Sequence, residues 1–114
     1  MKTIIGGCRH LVDYEKMKTA IELSGFEVTE VVSGGARGGD ALGERWAMEN
    51  GVPIRRFKAN WRDGVRAGFR RNELMARYAE ALVAVWDGTS SGTGHMIKEA
   101  RKMNLKVFVF FDYS

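Results

Sequence analysis

The sequence predicts a three-layer α/β fold, a five-stranded parallel sheet between two layers of helices. Three observations predict it. Short apolar runs alternate with stretches of helical periodicity along the whole 114-residue chain, and such alternation places parallel strands beside crossover helices. No repeat, low-complexity tract or linker interrupts it, so the chain reads as one domain, 1–114. The loops after the first, second and fourth strands hold the most unusual residues, and in open parallel sheets the ligand crevice lies beyond the carboxyl ends of the strands.

The elements follow in order. Residues 3–5 form a short strand ending in Gly6-Gly7. Residues 13–24 are helical, with Met17, Ala20, Ile21 and Leu23 apolar, and Gly25 stops them. Residues 28–32 are the second strand, leading into Ser33-Gly34-Gly35. Residues 40–50 are helical, with Leu42 and Trp46 on one face and Gly51 as the stop. Residues 53–57 form the third strand. Residues 64–78 form the next helix, striped by Val65, Phe69, Asn72 and Ala76. Residues 81–86 are almost continuously apolar, the mark of a central strand buried on both faces. A helix over 91–103 carries Thr93, Met96, Ile97, Ala100 and Met103 at helical spacing, and 106–111 close the sheet.

Composition narrows the function. The single cysteine, Cys8, excludes an internal disulfide framework and fits a reducing compartment. No apolar run approaches the ~20 residues of a membrane span, and the N-terminus turns polar too soon for a signal peptide. A cytoplasmic protein is expected. The net charge of +4 is uneven: residues 1–54 carry six Lys/Arg and eight Asp/Glu, residues 55–114 twelve and six. The stretch 55–77 holds eight basic residues against two acidic ones. It is either a solvated helix face or a field for an anionic partner.

The strongest motif is Ser33-Gly34-Gly35-Ala36-Arg37-Gly38-Gly39-Asp40, four glycines between a strand and a helix. Backbone amides and the helix dipole make an anion site there, and glycine lets a phosphate approach the backbone. Arg37 can add a bidentate contact. The loop is neither a dinucleotide fingerprint, because Ala36 replaces the second glycine, nor a P-loop, because no Lys-Ser/Thr ends it. Asp40 is either the N-cap of the following helix or a ligand to a ribose hydroxyl.

A second loop, Asp87-Gly88-Thr89-Ser90-Ser91-Gly92-Thr93-Gly94, also joins a strand to a helix, and plain N-capping by Ser90 or Ser91 is the alternative to ligand binding. The first loop contributes Gly6, Gly7, Cys8 and Arg9; Cys8 is either reactive or a small buried thiol. Asn60 and Trp61 could bond to and stack on a base, or merely pack at the rim. Asn72 falls on an apolar stripe, so it needs a hydrogen-bond partner in a loop or a ligand. His95, in the first turn of its helix, is disfavoured as a cation. Arg66, Arg70 and Arg77 share another helix face. Neither zinc spacing nor a pair of catalytic carboxylates is visible, and no metal or cofactor is expected.

The segments Ser33 to Asp40, Ala67-Gly68-Phe69-Arg70-Arg71-Asn72 and Gly88-Thr89-Ser90-Ser91-Gly92-Thr93 resemble the SLOG superfamily, in its YspA/cpYpsA-related branch, which is related to LOG and DprA domains. The resemblance runs along nearly the whole chain. It implies a Rossmann-like sheet, with strand order 3-2-1-4-5, a crevice for nucleotides or nucleotide-derived signals, and a homo-oligomer (dimer or tetramer). The LOG enzymes of this superfamily are phosphoribohydrolases with a P-G-G-x-G-T-x-x-E motif. Here Gly92-Thr93 matches its G-T, but Met96 stands at the catalytic glutamate and Glu99 lies three residues beyond. The family's arginine corresponds to Arg70 or Arg71.

The resulting expectation is a protein that binds a nucleotide-derived small molecule as sensor, carrier or sponge, for instance a viral protein that soaks up a host immune signal. Its ligand-binding set is Gly6, Gly7, Cys8, Arg9, Ser33, Gly34, Gly35, Ala36, Arg37, Gly38, Asp40, Asn60, Trp61, Arg71, Asn72, Asp87, Gly88, Ser90, Ser91, Gly92 and Thr93, with no catalytic residue. A phosphoribohydrolase-like glycosidase and a nucleic-acid-binding module are the alternatives, the latter ranked last because few aromatics interleave the arginines.

Overall fold

A computed structural model describes residues 1–64 and 66–113. In chain order they form β1 (Lys2–Gly7), α1 (Tyr14–Ser24), β2 (Glu30–Ser33), α2 (Gly39–Glu49), β3 (Ile54–Arg56), a single 3-10 turn (Trp61–Asp63), α3 (Arg66–Tyr78), β4 (Ala81–Trp86), α4 (Ser91–Lys102) and β5 (Lys106–Phe111). All strand pairs are parallel, in the order β3-β2-β1-β4-β5. This is the predicted Rossmann-like sheet. The order reverses between β1 and β4, so the loops that leave these two strands part there and open a crevice.

Residues 81–85 of β4 are all buried, as expected for the strand flanked by β1 and β5. Successive residues point to opposite faces. Ile4, Val32, Leu82 and Ala84 meet Met75, Ala76 and Ala79 of the α3 side and Met96, Ile97 and Ala100 of α4. Ile5, Val31, Val83 and Val85 meet Met17, Ala20 and Ile21 of α1 and Ala47 of α2. Each layer of helices therefore has its own core. Among the described residues no helix is long and apolar enough to cross a membrane.

Several local expectations need correction. β1 runs on through Gly6 and Gly7, which pair with Ala84 and Val85; the ladder to β4 outweighs the poor strand preference of glycine. β3 has only three residues. Leu23 and Met103, placed on apolar faces, are 62% and 43% exposed. Phe69 lies on the predicted stripe of α3 yet is 44% exposed, because that end of the helix overhangs the crevice rather than the sheet. Val65, predicted on the same stripe, lies outside the described residues. The caps of α1 follow the sequence: Asp13 accepts from the amides of Glu15 and Lys16, and Gly25 ends the helix at φ +69°.

One buried charge ties β2, α2 and β3 together. Glu44 is 9% exposed and accepts from the Ser33 hydroxyl at 2.6 Å and from Arg56 Nε and Nη2 at 2.9 and 2.6 Å. Burial works against its ionisation, but the bonds from Arg56 and Ser33 outweigh burial and hold its pKa below 4.5. Its stabilisation is therefore present above pH 4.5 and lost as the pH falls through the depressed value. Glu44→Ala should cost about 2 kcal/mol at neutral pH in urea denaturation and less at pH 3, because it strands a buried hydroxyl and frees a cation. A loss independent of pH would refute the ionic role.

Candidate functional site

A cavity of about 620 Å³ opens at the carboxyl ends of β1, β2 and β4. Its floor is the end of the sheet, with Ile4, Leu82 and Ala84, together with Met75 and Met96 from the helices. Gly6, Gly7, Cys8 and Arg9 form one wall, Gly34, Ala36 and Asp40 the next, and Ser90, Ser91, Gly92 and Thr93 the third. Trp61, Arg71 and Asn72 close it from α3 and the 3-10 turn. Fourteen of the sequence-predicted binding residues thus meet in one space. Gly35 and Arg37 line an adjoining cavity instead.

The other five predicted residues line neither cavity. Ser33 is fully buried, donates to Glu44 and accepts from the Gly35 amide. Gly38 packs against the backbone of residues 8 and 9. Asn60 caps the 3-10 turn through the Arg62 amide. Asp87 accepts from the Thr89 and Ser90 amides at 2.9 and 2.7 Å and from the Ser90 hydroxyl at 2.7 Å. Those bonds, the Ser90 hydroxyl first, hold its pKa far below the usual carboxylate range. Gly88, at φ +85°, passes Tyr113. These residues shape the loops that carry the lining.

Cys8 joins three of these loops. It is 5% exposed, its carbonyl accepts from Gly39 N at 3.1 Å, and its sulfur accepts from Asp87 N at 3.3 Å. That favours the buried-thiol reading. Its sulfur also lies within 4.8 Å of donor atoms of His10 and Asp87, as do those of Glu73, His95 and Glu99 of one another. Sequence spacing did not reveal either group. The carboxylate of Asp87 in the first already accepts the three bonds above, and its Oδ2 lies 3.7 Å from His10 Nε2.

Neither crevice helix has a side-chain N-cap. Gly38 stands at the cap of α2 and Ser90 at that of α4, where its hydroxyl turns away to Asp87. The capping readings of Ser90 and of Asp40 both fail here. Asp40 sits inside the first turn of α2, with Oδ2 accepting from Ala36 N at 3.2 Å. Two helix ends without side-chain caps then border one crevice, and their dipoles make it a positive environment without a full charge.

The full charges among the described lining residues are Arg9, Arg71 and Asp40. Arg71 Nη1 donates to the Gly34 carbonyl at 3.2 Å, while its Nε is buried with no partner. Asp40 is pushed up to about 6 by burial, against the pull of the Ala36 amide and Arg71. Asn72, 4% exposed, donates from Nδ2 to the Gly92 carbonyl at 3.3 Å and meets His95 Nδ1 at 3.2 Å. Since the amide nitrogen only donates, His95 Nδ1 accepts and Nε2 carries the proton, 3.6 Å from Glu99. The His95 ring lies 4.2 Å from that of Phe69. Phe69 and Trp61, 44% and 61% exposed, form an aromatic rim. Sequence reasoning missed Phe69, Gly68 and His10 in the lining, and the apolar floor; the register of the strand ends was the signal.

The fold and this crevice define a doubly wound α/β domain with a cavity at the switch in strand order. The chain belongs to the YspA, cpYpsA-related SLOG family, whose model matches residues 7–64. That span holds the first two loops and Trp61, but ends before Arg71, Asn72 and the 87–94 loop. The Gene 61 protein of Mycobacterium phage D29 is 37% identical over 89 residues, which cover 72% of this chain and 71% of that protein. No solved structure matches.

Proposed function

We propose that the crevice binds a nucleotide or nucleotide-derived signalling molecule and holds it without turnover, as a sensor, carrier or sponge. The observation that carries this reading is the buried, unpartnered Nε of Arg71, in a cavity that two helix N-termini without side-chain caps also line. A buried donor left unmade costs about 1–3 kcal/mol, and a shift of the guanidinium toward an anion in the crevice would recover it. Ser91 and Thr93 supply hydroxyls around a phosphate, Asp40 an acceptor for a ribose hydroxyl, and Trp61 and Phe69 faces for a base.

Binding is favoured over hydrolysis by what stands in the floor. Met96, at the place of the LOG glutamate, is 7% exposed and has no proton to give. Glu99 faces His95 rather than the cavity, and Asp40 is the one carboxylate among the described lining residues. Calorimetry with ADP-ribose-type and cyclic nucleotides tests the reading. Binding with the ligand recovered intact is expected; release of free base would make the protein a glycosidase, and no binding at millimolar ligand would refute the reading. The mass of any small molecule that co-purifies is the companion measurement.

A further inference from the structure

The second cavity, about 580 Å³, shares Arg9, Gly34, Ala36, Trp61 and Arg71 with the first. Strand register creates it. Ser33 of β2 pairs with Arg56 of β3, so the chain leaving each strand, 34–37 and 57–59, runs along one ledge. That brings Arg37, Arg56 and Lys58 to one cavity, which Arg9 and Arg71 also line. Five cations line the space, and no carboxylate does among the described residues.

Two of the five have partners. Arg56 is held by Glu44 and Arg71 by the Gly34 carbonyl. Arg9, Arg37 and Lys58 are exposed, and among the described residues no carboxylate pairs with them. Concave clustering of unpaired like charges raises the local potential, and an anion relieves it. The nearby amides cannot serve that anion, because Gly35 N is bonded to Ser33 and Ala36 N to Asp40. Side chains would hold it, so its binding would weaken with salt.

We infer that Arg9, Arg37 and Lys58 form a second phosphate subsite, so that the ligand carries two separated phosphate groups: a linear dinucleotide with a terminal phosphate rather than a mononucleotide. The inference rests on the reading of the first cavity as a nucleotide site. Size agrees with it. Each cavity alone falls in the range of about 300–1,000 Å³ that holds one drug-sized ligand, and Trp61 stands on their shared wall.

The test uses calorimetry on the whole chain and on an Arg37→Ala/Lys58→Ala variant, whose exposed side chains make no bond that the fold needs. The probes are nucleoside monophosphates and the matching linear dinucleotides with a terminal phosphate. The dinucleotide should bind the wild type more tightly, and the variant should lose about tenfold for it while holding the monophosphate unchanged. Equal losses for both probes, or no loss for either, would overturn the subsite and leave the first site standing. No binding of any probe to the wild type would overturn the nucleotide reading and the subsite with it. A single-stranded oligonucleotide that alone responds to the double substitution would assign the ledge to nucleic acid instead.

Discussion

Gly39→Ala is expected to destabilise the protein by about 3 kcal/mol or more, a loss placed on the backbone rather than on any side chain. Gly39 opens α2 and lies directly on the end of β1. A Cβ there would stand 2.3 Å from Gly7 N and 2.4 Å from Gly7 Cα. Neither atom can move alone, because Gly7 is paired with Val85 in the central ladder. Relief would require lifting α2 off the sheet, and with it the apolar face that covers Ile5 and Val31. The control is Gly92→Ala: nothing lies within 4 Å of its added Cβ, and it occupies the first turn of α4. That substitution should leave stability within about 0.5 kcal/mol or raise it slightly, since alanine favours a helix. Chemical denaturation of the two variants reads the contrast, and equal midpoints would refute it.

The contrast separates two uses of glycine that the sequence merges. The excess of glycine in residues 34–39 suggests close approach by a ligand. Much of it serves close approach by the protein's own chain instead: Gly38 meets the carbonyls of Cys8 and Arg9, and Gly39 meets Gly7. Gly6 and Gly34 make room for the Asp40 carboxylate, whose oxygens would lie 2.6 and 2.8 Å from their Cβ atoms. Gly92 has open space and lines the crevice, so no packing contact demands it. A glycine that packing does not require is the better pointer to a ligand than one in the densest run.

The layers of the fold were legible because periodicity reports burial: the apolar run of β4 and the stripes of α1 and α4 named their buried faces, except at the helix ends, Leu23 and Met103. The crevice was legible at loop level for the same topological reason. What the sequence hid depends on register. That Arg37 and Lys58 share a ledge follows from Ser33 lying beside Arg56, and parallel register leaves no local mark in either strand. Asp40 was hidden differently. Its position after Gly39 suits an N-cap, yet α2 begins one residue earlier and turns the carboxylate back into the loop.

That placement makes Asp40 a pH-sensitive group. Its folded pKa of about 6 lies above the ordinary 3.8, because burial outweighs the Ala36 amide and Arg71, with Glu44 adding repulsion. Its contribution to stability is therefore full below pH 3.8 and lost as the pH rises through 6. The shift corresponds to roughly 3 kcal/mol. Asp40→Asn keeps an oxygen to accept from Ala36 and removes the ionisation. Relative to wild type, the variant should gain about 3 kcal/mol between pH 4 and pH 7, measured as the difference between two denaturation series. Taking the difference cancels Glu44, whose depressed pKa drives the opposite trend. Parallel series would show that Asp40 does not titrate there. If an anion binds beside Arg71 as proposed, the same carboxylate acts on it. A pyrophosphate diester has no ionisation of its own in this range, so its affinity for the wild type should fall as the pH rises through 6. Its affinity for Asp40→Asn should stay level, since the negative charge that repels it is gone.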